Sequence, residues 1–341
     1  MKHSPKSCSN KKRKIRALYL LGFVSLLAAA LLGIALGGTP LPLSALWKAM
    51  REGLTASADG RILLYVRLPR TAAALLCGGA LAVSGAVIQG VLANRLASPS
   101  IIGVNAGAGL AVTLCTALGI YGGWRMALAA FLGAFAVVTV VSLGARKWGA
   151  SRGTVILLGV AMNSLLGAIS DAIITFFPEV GTMSRDFKVG QFSAVTGQKL
   201  LPAAVLILLA LAVLMTLTNE LDVLTLGEDN ARGLGMDTSK MRTLFLLLAA
   251  LLAGCAVSLA GLLSFVGLVV PHAVRRVAGS KSSHLLGLCT LFGAAFVCLC
   301  DTAARTLFAP YELPVGILMA FLGAPFFVFI LIRGKGGHSR D

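Results

Sequence analysis

An all-α fold of about ten membrane-spanning helices is predicted by three features of this 341-residue sequence: its composition, the length of its apolar runs, and the placement of its basic residues. Hydrophobic residues make up 57% of the chain and charged residues only 13%, against about 25% charged in an ordinary soluble domain. A hydrocarbon core is crossed by about 20 apolar helical residues, and in lipid each segment must satisfy its own backbone hydrogen bonds, which makes the long runs helices.

Seven of the 30 Lys and Arg precede the first apolar run, between Lys2 and Arg16. In a soluble chain the net charge of +17 would suggest nucleic acid; clustered before a span, it is a topology signal that holds the N-terminus in the cytoplasm, with the bilayer as the partner. The run over 17–38 is too long for the apolar region of a cleaved signal peptide, so it is expected to remain as the first span.

Apolar runs between charges and Gly or Pro breaks then give helices near 17–37, 71–92, 101–120, 126–145, 154–177, 200–218, 243–262, 264–278, 285–308 and 315–332. The eighth is short and interrupted by Pro271. With the N-terminus inside, 20 of the 30 Lys and Arg fall in cytoplasmic segments, which favours ten spans with both ends cytoplasmic. The expected organisation is a basic cytoplasmic segment 1–16, one transmembrane domain 17–333, and a cytoplasmic tail 334–341. Of the seven cysteines, all but Cys8 lie in apolar segments without metal-ligand spacing and read as small buried residues; no metal site is expected.

Between spans, the longest polar cytoplasmic stretch is 219–242, whose 226–235 run can form a short helix ended by glycine on which a soluble partner could dock. Outside, 39–69 is long enough to carry structure, and 178–199 mixes charges with Phe187, Val189 and Phe192, as a re-entrant or interfacial helix would. In the second span Gly78, Ala82, Ala86 and Gly90 recur at a spacing that lets backbones approach, with Ser84, Gly85 and Gln89 alongside.

Chemistry is sparse. No GxxxxGK[ST] loop exists to hold ATP phosphates, so ATP-driven work belongs to another subunit. HExxH, CxxC and GxSxG are missing from any credible context, and the four His are scattered at positions 3, 272, 284 and 338. Asp171 lies mid-span in the fifth helix and shares a face with Asn163, Gly167 and Thr175. A central Asp costs about 2.5–3.5 kcal/mol on insertion scales, so it should face a wet pathway or a neighbouring helix. Arg67, Arg70 and Arg305 are expected at external span ends, as interfacial anchors or as bidentate partners for carboxylates on a docking protein.

Ordered motifs add to this reading: Arg67-Leu-Pro-Arg70; Gly79-Ala-Leu-Ala-Val-Ser-Gly-Ala-Val-Ile-Gln89; Asn94-Arg-Leu-Ala-Ser-Pro99; Gly103-Val-Asn-Ala-Gly107; the 226–235 run; Phe265-Val-Gly-Leu-Val-Val-Pro-His-Ala-Val-Arg275; Asp301-Thr-Ala-Ala-Arg305; Glu312-Leu-Pro-Val-Gly316; and Gly323-Ala-Pro-Phe326. In their order and spacing the sequence resembles the FecCD family, the type II ABC importer permeases for iron-siderophores, haem and vitamin B12. Arg95 stands where the family usually has proline, and 187–192 lacks the family's usual tryptophans, which weakens any inference about substrate.

The resemblance implies a vitamin B12 permease-like fold in the bacterial cytoplasmic membrane, without catalytic residues or bound cofactor. It implies two permease copies, or one copy and a paralogue, around a shared pathway, with two cytoplasmic ATPases that bind ATP and Mg and an external substrate-binding protein. It places the ATPase-coupling loop on Gly227, Glu228, Ala231, Arg232, Leu234 and Gly235, and the binding-protein contacts on Arg67, Arg70 and Arg305. The expected pathway set is Gln89, Asn163, Gly167, Asp171, Thr175, Lys188 and Phe192, the last two serving either an anionic chelate or interfacial anchoring. The expected function is import of an iron-siderophore, haem or cobalamin-type chelate by alternating access. The competing reading is a secondary transporter driven by an ion gradient through Asp171; a scaffold without transport would leave Asp171 and the arginines unexplained.

Overall fold

In the computed structural model, which describes residues 5–37, 55, 57–147 and 152–335, each of the ten expected segments falls on a helix. They are α1 (Pro5–Ala35), α3 (Leu68–Val91), α4 (Val104–Ala117), α5 (Gly123–Lys147), α6 (Arg152–Phe176), α9 (Gly197–Thr216), α12 (Thr238–Ala260), α13 (Val266–Ala278), α14 (Ser282–Thr306) and α15 (Val315–Lys335). Seven of them are long and apolar enough to cross a membrane; α4 and α13 are shorter, and in α15 the apolar stretch so measured is Val315–Val328. Among the described residues there is no strand.

Shorter helices fill the connections: α2 (Ala58–Ile62), α7 (Pro178–Met183), α8 (Arg185–Val189), α10 (Thr218–Thr225) and α11 (Glu228–Gly233). A π-helical turn over Leu63–Arg67 joins α2 to α3. The basic residues ahead of the first span continue its helix back to Pro5, twelve residues before the apolar run begins, because Lys and Arg are good helix formers that need no apolar partner. The expected external structure over 39–54 and the tail beyond 335 lie outside the described residues.

The core is built around α3, which packs against α12, α13 and α14 and is buried almost throughout. Its small residues allow this. A Cβ on Gly85 would sit 1.9 Å from the carbonyl oxygen of Gly267 in α13, and one on Gly78 would sit 2.2 Å from that of Gly293 in α14. Backbones therefore touch directly, the membrane substitute for a hydrophobic driving force that lipid does not supply. By contrast, only 22% of the most apolar stretch of α6 and 17% of that of α1 is buried within the chain.

The 178–199 region, expected as a short re-entrant or interfacial helix, is two short helices, α7 and α8, followed by an inward turn. There the Gln191 amide donates to Ala260 O (2.7 Å), the Leu262 amide to Phe187 O (2.9 Å) and the Gly316 amide to Gly190 O (3.1 Å). These bonds seat the segment between the ends of α12 and α15.

Candidate functional site

Two charged clusters stand at opposite ends of the bundle. The first residue of α14 is tied to one, through the Ser282 amide donating to Asp222 Oδ1 (2.8 Å), and its last turns carry the other. From Ser282 to Asp301 is 19 residues, roughly 28 Å of helix at 1.5 Å per residue.

The loop end is a helical hairpin made by α10 and α11. Gly227 joins them at φ +112°, ψ 157°, a conformation open in practice only to glycine, and α11 begins on the next residue. Ala231 is fully buried and anchors α11, while Leu226 and Leu234, at its two ends, are 60% and 68% exposed. Glu228 is the electrostatic hub. It accepts a hydrogen bond from Arg242 of α12 and pairs with Arg152 of α6 at 3.7 Å and with Arg232 at 3.6 Å. Arg152 also donates to Leu224 O (3.0 Å), and Arg232 Nε to Thr238 Oγ1 (3.3 Å). Asp237 caps α12 by accepting from the Lys240 amide (3.0 Å) and pairs with Lys240 Nζ at 2.9 Å; the backbone bond, then the side-chain bond, holds its carboxyl below the usual range. All six residues expected in the coupling loop, Gly227, Glu228, Ala231, Arg232, Leu234 and Gly235, thus lie in one compact element.

At the arginine end the expectation of three available surface cations is corrected. Arg67, Arg70 and Arg305 are only 3%, 7% and 3% exposed, because their own chain surrounds them with acceptors. Arg67 donates to the carbonyls of Ile34 (2.8 Å) and Ala35 (2.6 Å), and Arg305 to that of Gly33 (2.6 Å), so both close the last turn of α1, whose final carbonyls have no helical partner. Arg70 grips Asp301 through Nε (3.1 Å) and Nη2 (3.0 Å) and reaches Glu312 through Nη1 (2.7 Å). Asp301 is 1% exposed, and Glu312 is the one carboxylate of the cluster whose side chain is substantially open, at 42%.

The expected pathway set divides. Asn163, Gly167, Asp171 and Thr175 do share the open side of α6: Asp171 and Thr175 are exposed, and nothing lies within contact distance of a Cβ placed on Gly167. Asn163 donates to the carbonyls of Ser100 (2.9 Å) and Ile101 (3.2 Å), and Thr175 to Asp171 O (2.8 Å). Gln89 and Phe192 leave the set. Gln89 is buried, donating to Gly267 O (3.0 Å) and accepting from Arg275. Phe192 is 1% exposed because the inward turn after α8 carries it into the core. Lys188 is half-buried on α8.

Sequence reasoning passed over Arg152, Arg242, Asp301 and Glu312 as functional groups. The i, i+4 spacing of Asp301 and Arg305 is a signal that could have found one pair, which lies at 3.6 Å. Among the described residues no group of three or more His, Cys, Asp or Glu is placed to hold a metal ion.

A bundle of this kind, with glycine-mediated contacts at its centre and a polar helical hairpin at one end, defines a polytopic membrane transport protein. The sequence profile of the FecCD transport family matches residues 25–333, and the chain belongs to that family. It is similar to the hemin transport system permease protein HmuU of Yersinia pestis, at 35% identity over 96% of this chain and 99% of the relative. It is 36% identical to the vitamin B12 import system permease protein BtuC of Vibrio vulnificus, over 97% and 98% of the two chains. A solved ABC transporter in an inward-facing conformation superposes with a TM-score of 0.80 at 28% identity, covering 93% of this chain and 99% of that one.

Proposed function

We propose that this chain is the permease subunit of an ABC importer for an iron-siderophore or a chemically similar chelate, haem and cobalamin included. A partner ATPase binds ATP and Mg and drives alternating access, and an extracytoplasmic binding protein delivers the chelate. Two permease subunits, identical or paralogous, enclose the pathway, with both termini and the 219–242 loop on the cytoplasmic side. The domain runs from 17 to 333, flanked by the basic segment 1–16 and the tail 334–341.

The observation that carries the reading is the α10–α11 hairpin: exposed Leu226 and Leu234 flank a helix held to α6 and α12 through the single carboxylate of Glu228. Exposed apolar residues on an element tied to two spans suit a docked soluble subunit whose movement reorients those spans. The open side of α6, with Asn163, Gly167, Asp171 and Thr175, suits the wall of a pathway completed by the second subunit. At the arginine end, docking falls on Glu312 and the neighbouring exposed Tyr311, with buried Arg70 as their support.

The test is affinity capture of the tagged chain from its native membrane, comparing wild type with Leu226→Asp/Leu234→Asp, both exposed positions. Co-purification of an ATP-binding subunit with wild type and its loss from the variant is the expected result. Recovery of no ATPase from intact membranes would overturn the reading and favour an ion-driven carrier working through Asp171.

A further inference from the structure

A cavity of about 210 Å³ opens where α5, α11 and α12 meet, lined by Ser142, Arg146, Glu228, Arg232, Thr238 and Arg242. A water needs about 10–15 Å³ of such space, so there is room for a small polyatomic ion with several waters. Three guanidiniums line the cavity and Arg152 approaches Glu228 at 3.7 Å; against these four cations the lining offers one carboxylate. Both oxygens of that carboxylate are already engaged, Oε1 by Arg242 and Arg152 and Oε2 by Arg232.

A second feature is independent of the charge count. Ser142 is 3% exposed, lines the cavity, and its hydroxyl has no hydrogen-bond partner among the described residues. Serines and threonines inside helices commonly return their hydroxyl to the carbonyl four residues back, as Ser170, Thr113 and Thr116 do here. A buried hydroxyl left unpaired costs free energy that an acceptor in the cavity would recover. Basic residues kept only for membrane orientation need no common cavity and no buried hydroxyl among them.

We propose that this cavity is an anion site for a phosphate group, either the headgroup of an anionic phospholipid from the adjoining leaflet or free inorganic phosphate. Guanidinium forks and a hydroxyl supply donors in several directions, which suits a tetrahedral oxyanion with three or more acceptor oxygens better than a monatomic ion. The bound phosphate adds the second negative charge that Glu228 alone does not provide, and so braces α11 against α5 and α12. The site goes beyond transport and is read on the purified chain.

The experiment uses the full chain in detergent and in vesicles of phosphatidylcholine with or without phosphatidylglycerol. Thermal unfolding is followed in potassium phosphate and in potassium chloride at matched ionic strength, and retained lipid is identified by native mass spectrometry. Wild type is expected to respond to phosphate over chloride or to retain phosphatidylglycerol. Retention with no response to phosphate identifies the lipid as the source, and the reverse identifies the free ion. Ser142→Ala and Arg146→Gln/Arg232→Gln should weaken whichever response is seen, the double variant by about tenfold. Arg276→Gln, an exposed arginine outside the cavity, should leave it unchanged. No preference for phosphate and no retained lipid would overturn the proposal, as would a response that survives both cavity variants or falls equally with Arg276→Gln.

Discussion

The two ends of the bundle use the same residue types in opposite ways. At the arginine end Arg70 and Asp301 face each other nearly free of solvent, and Arg67 and Arg305 cap the carbonyls at the end of α1. At the loop end one carboxylate, Glu228, with its side chain 28% exposed, is shared by three arginines from α6, α11 and α12. Burial of Asp301 with Arg70 and Arg305 fixes geometry, because losing any of the three strands a charge in a dry site. Partial exposure of Glu228 lets contacts exchange at low cost, since water can replace any one of them. The comparison teaches how burial divides the two ends: a dry clasp at one, a half-open cluster with exchangeable contacts at the other.

The largest effect should come from breaking the clasp. Asp301→Ala leaves Arg70 and Arg305 buried without their shared carboxylate and should destabilise the chain by about 3–5 kcal/mol. Thermal unfolding in detergent checks this, and a loss of stability under about 1 kcal/mol would mean that the arginine end is as open as the loop end.

Removing the hub of the other cluster should matter less to folding and more to coupling. Glu228→Gln keeps the shape but removes the charge that three arginines share, with an expected cost of about 1–2 kcal/mol in its half-open setting. If the hairpin transmits ATPase closure, transport in reconstituted vesicles should fall further than thermal stability does. A parallel fall in both would make the loop another structural clasp. Smaller still is the effect of Glu312→Gln on folding, below about 1 kcal/mol, because that side chain is open and Asp301 still neutralises Arg70. If that end receives an extracytoplasmic binding protein, the consequence should appear in the affinity of that protein, measured by surface binding to the reconstituted subunit.

The long helices were legible because membrane insertion depends on composition over about 20 residues, and the short α13, with Pro271 inside 13 residues, was marked as a helix by nearby glycines and arginines. Close packing at Gly78 was legible from its small-residue register, although the tightest approach along α3, at Gly85, lay beside that register and not in it. What the sequence hid were pairings across long separations: Arg70 to Asp301 spans 231 positions and Gln89 to Arg275 spans 186. An arginine at a span end looks identical whether it anchors at an interface, meets a partner protein or folds back onto a carboxylate, because the sequence carries the charge and not the distance. Phe192 was misread for the related reason that a loop aromatic gives no sign of turning inward; the backbone bonds of Gln191 and Leu262 decide that.

The smallest expected effect tests whether the loop end is held by local charge at all. Asp237 is exposed, and its carboxyl sits below the ordinary range chiefly because it accepts from the Lys240 amide at the start of α12. A carboxyl whose folded value lies below its unfolded value stabilises the fold above the unfolded value and loses that contribution as pH falls through the folded one. The cap should therefore be at full strength at neutral pH and weaken only below the ordinary carboxylate range. Hydrogen exchange of the amides around Lys240 should quicken relative to the core of α12 as the solution is acidified through that window, and Asp237→Asn should abolish the pH dependence while keeping a neutral cap. If α11 and the first turn of α12 still loosened at the same pH in that variant, the order of the loop end would not rest on the Asp237 cap.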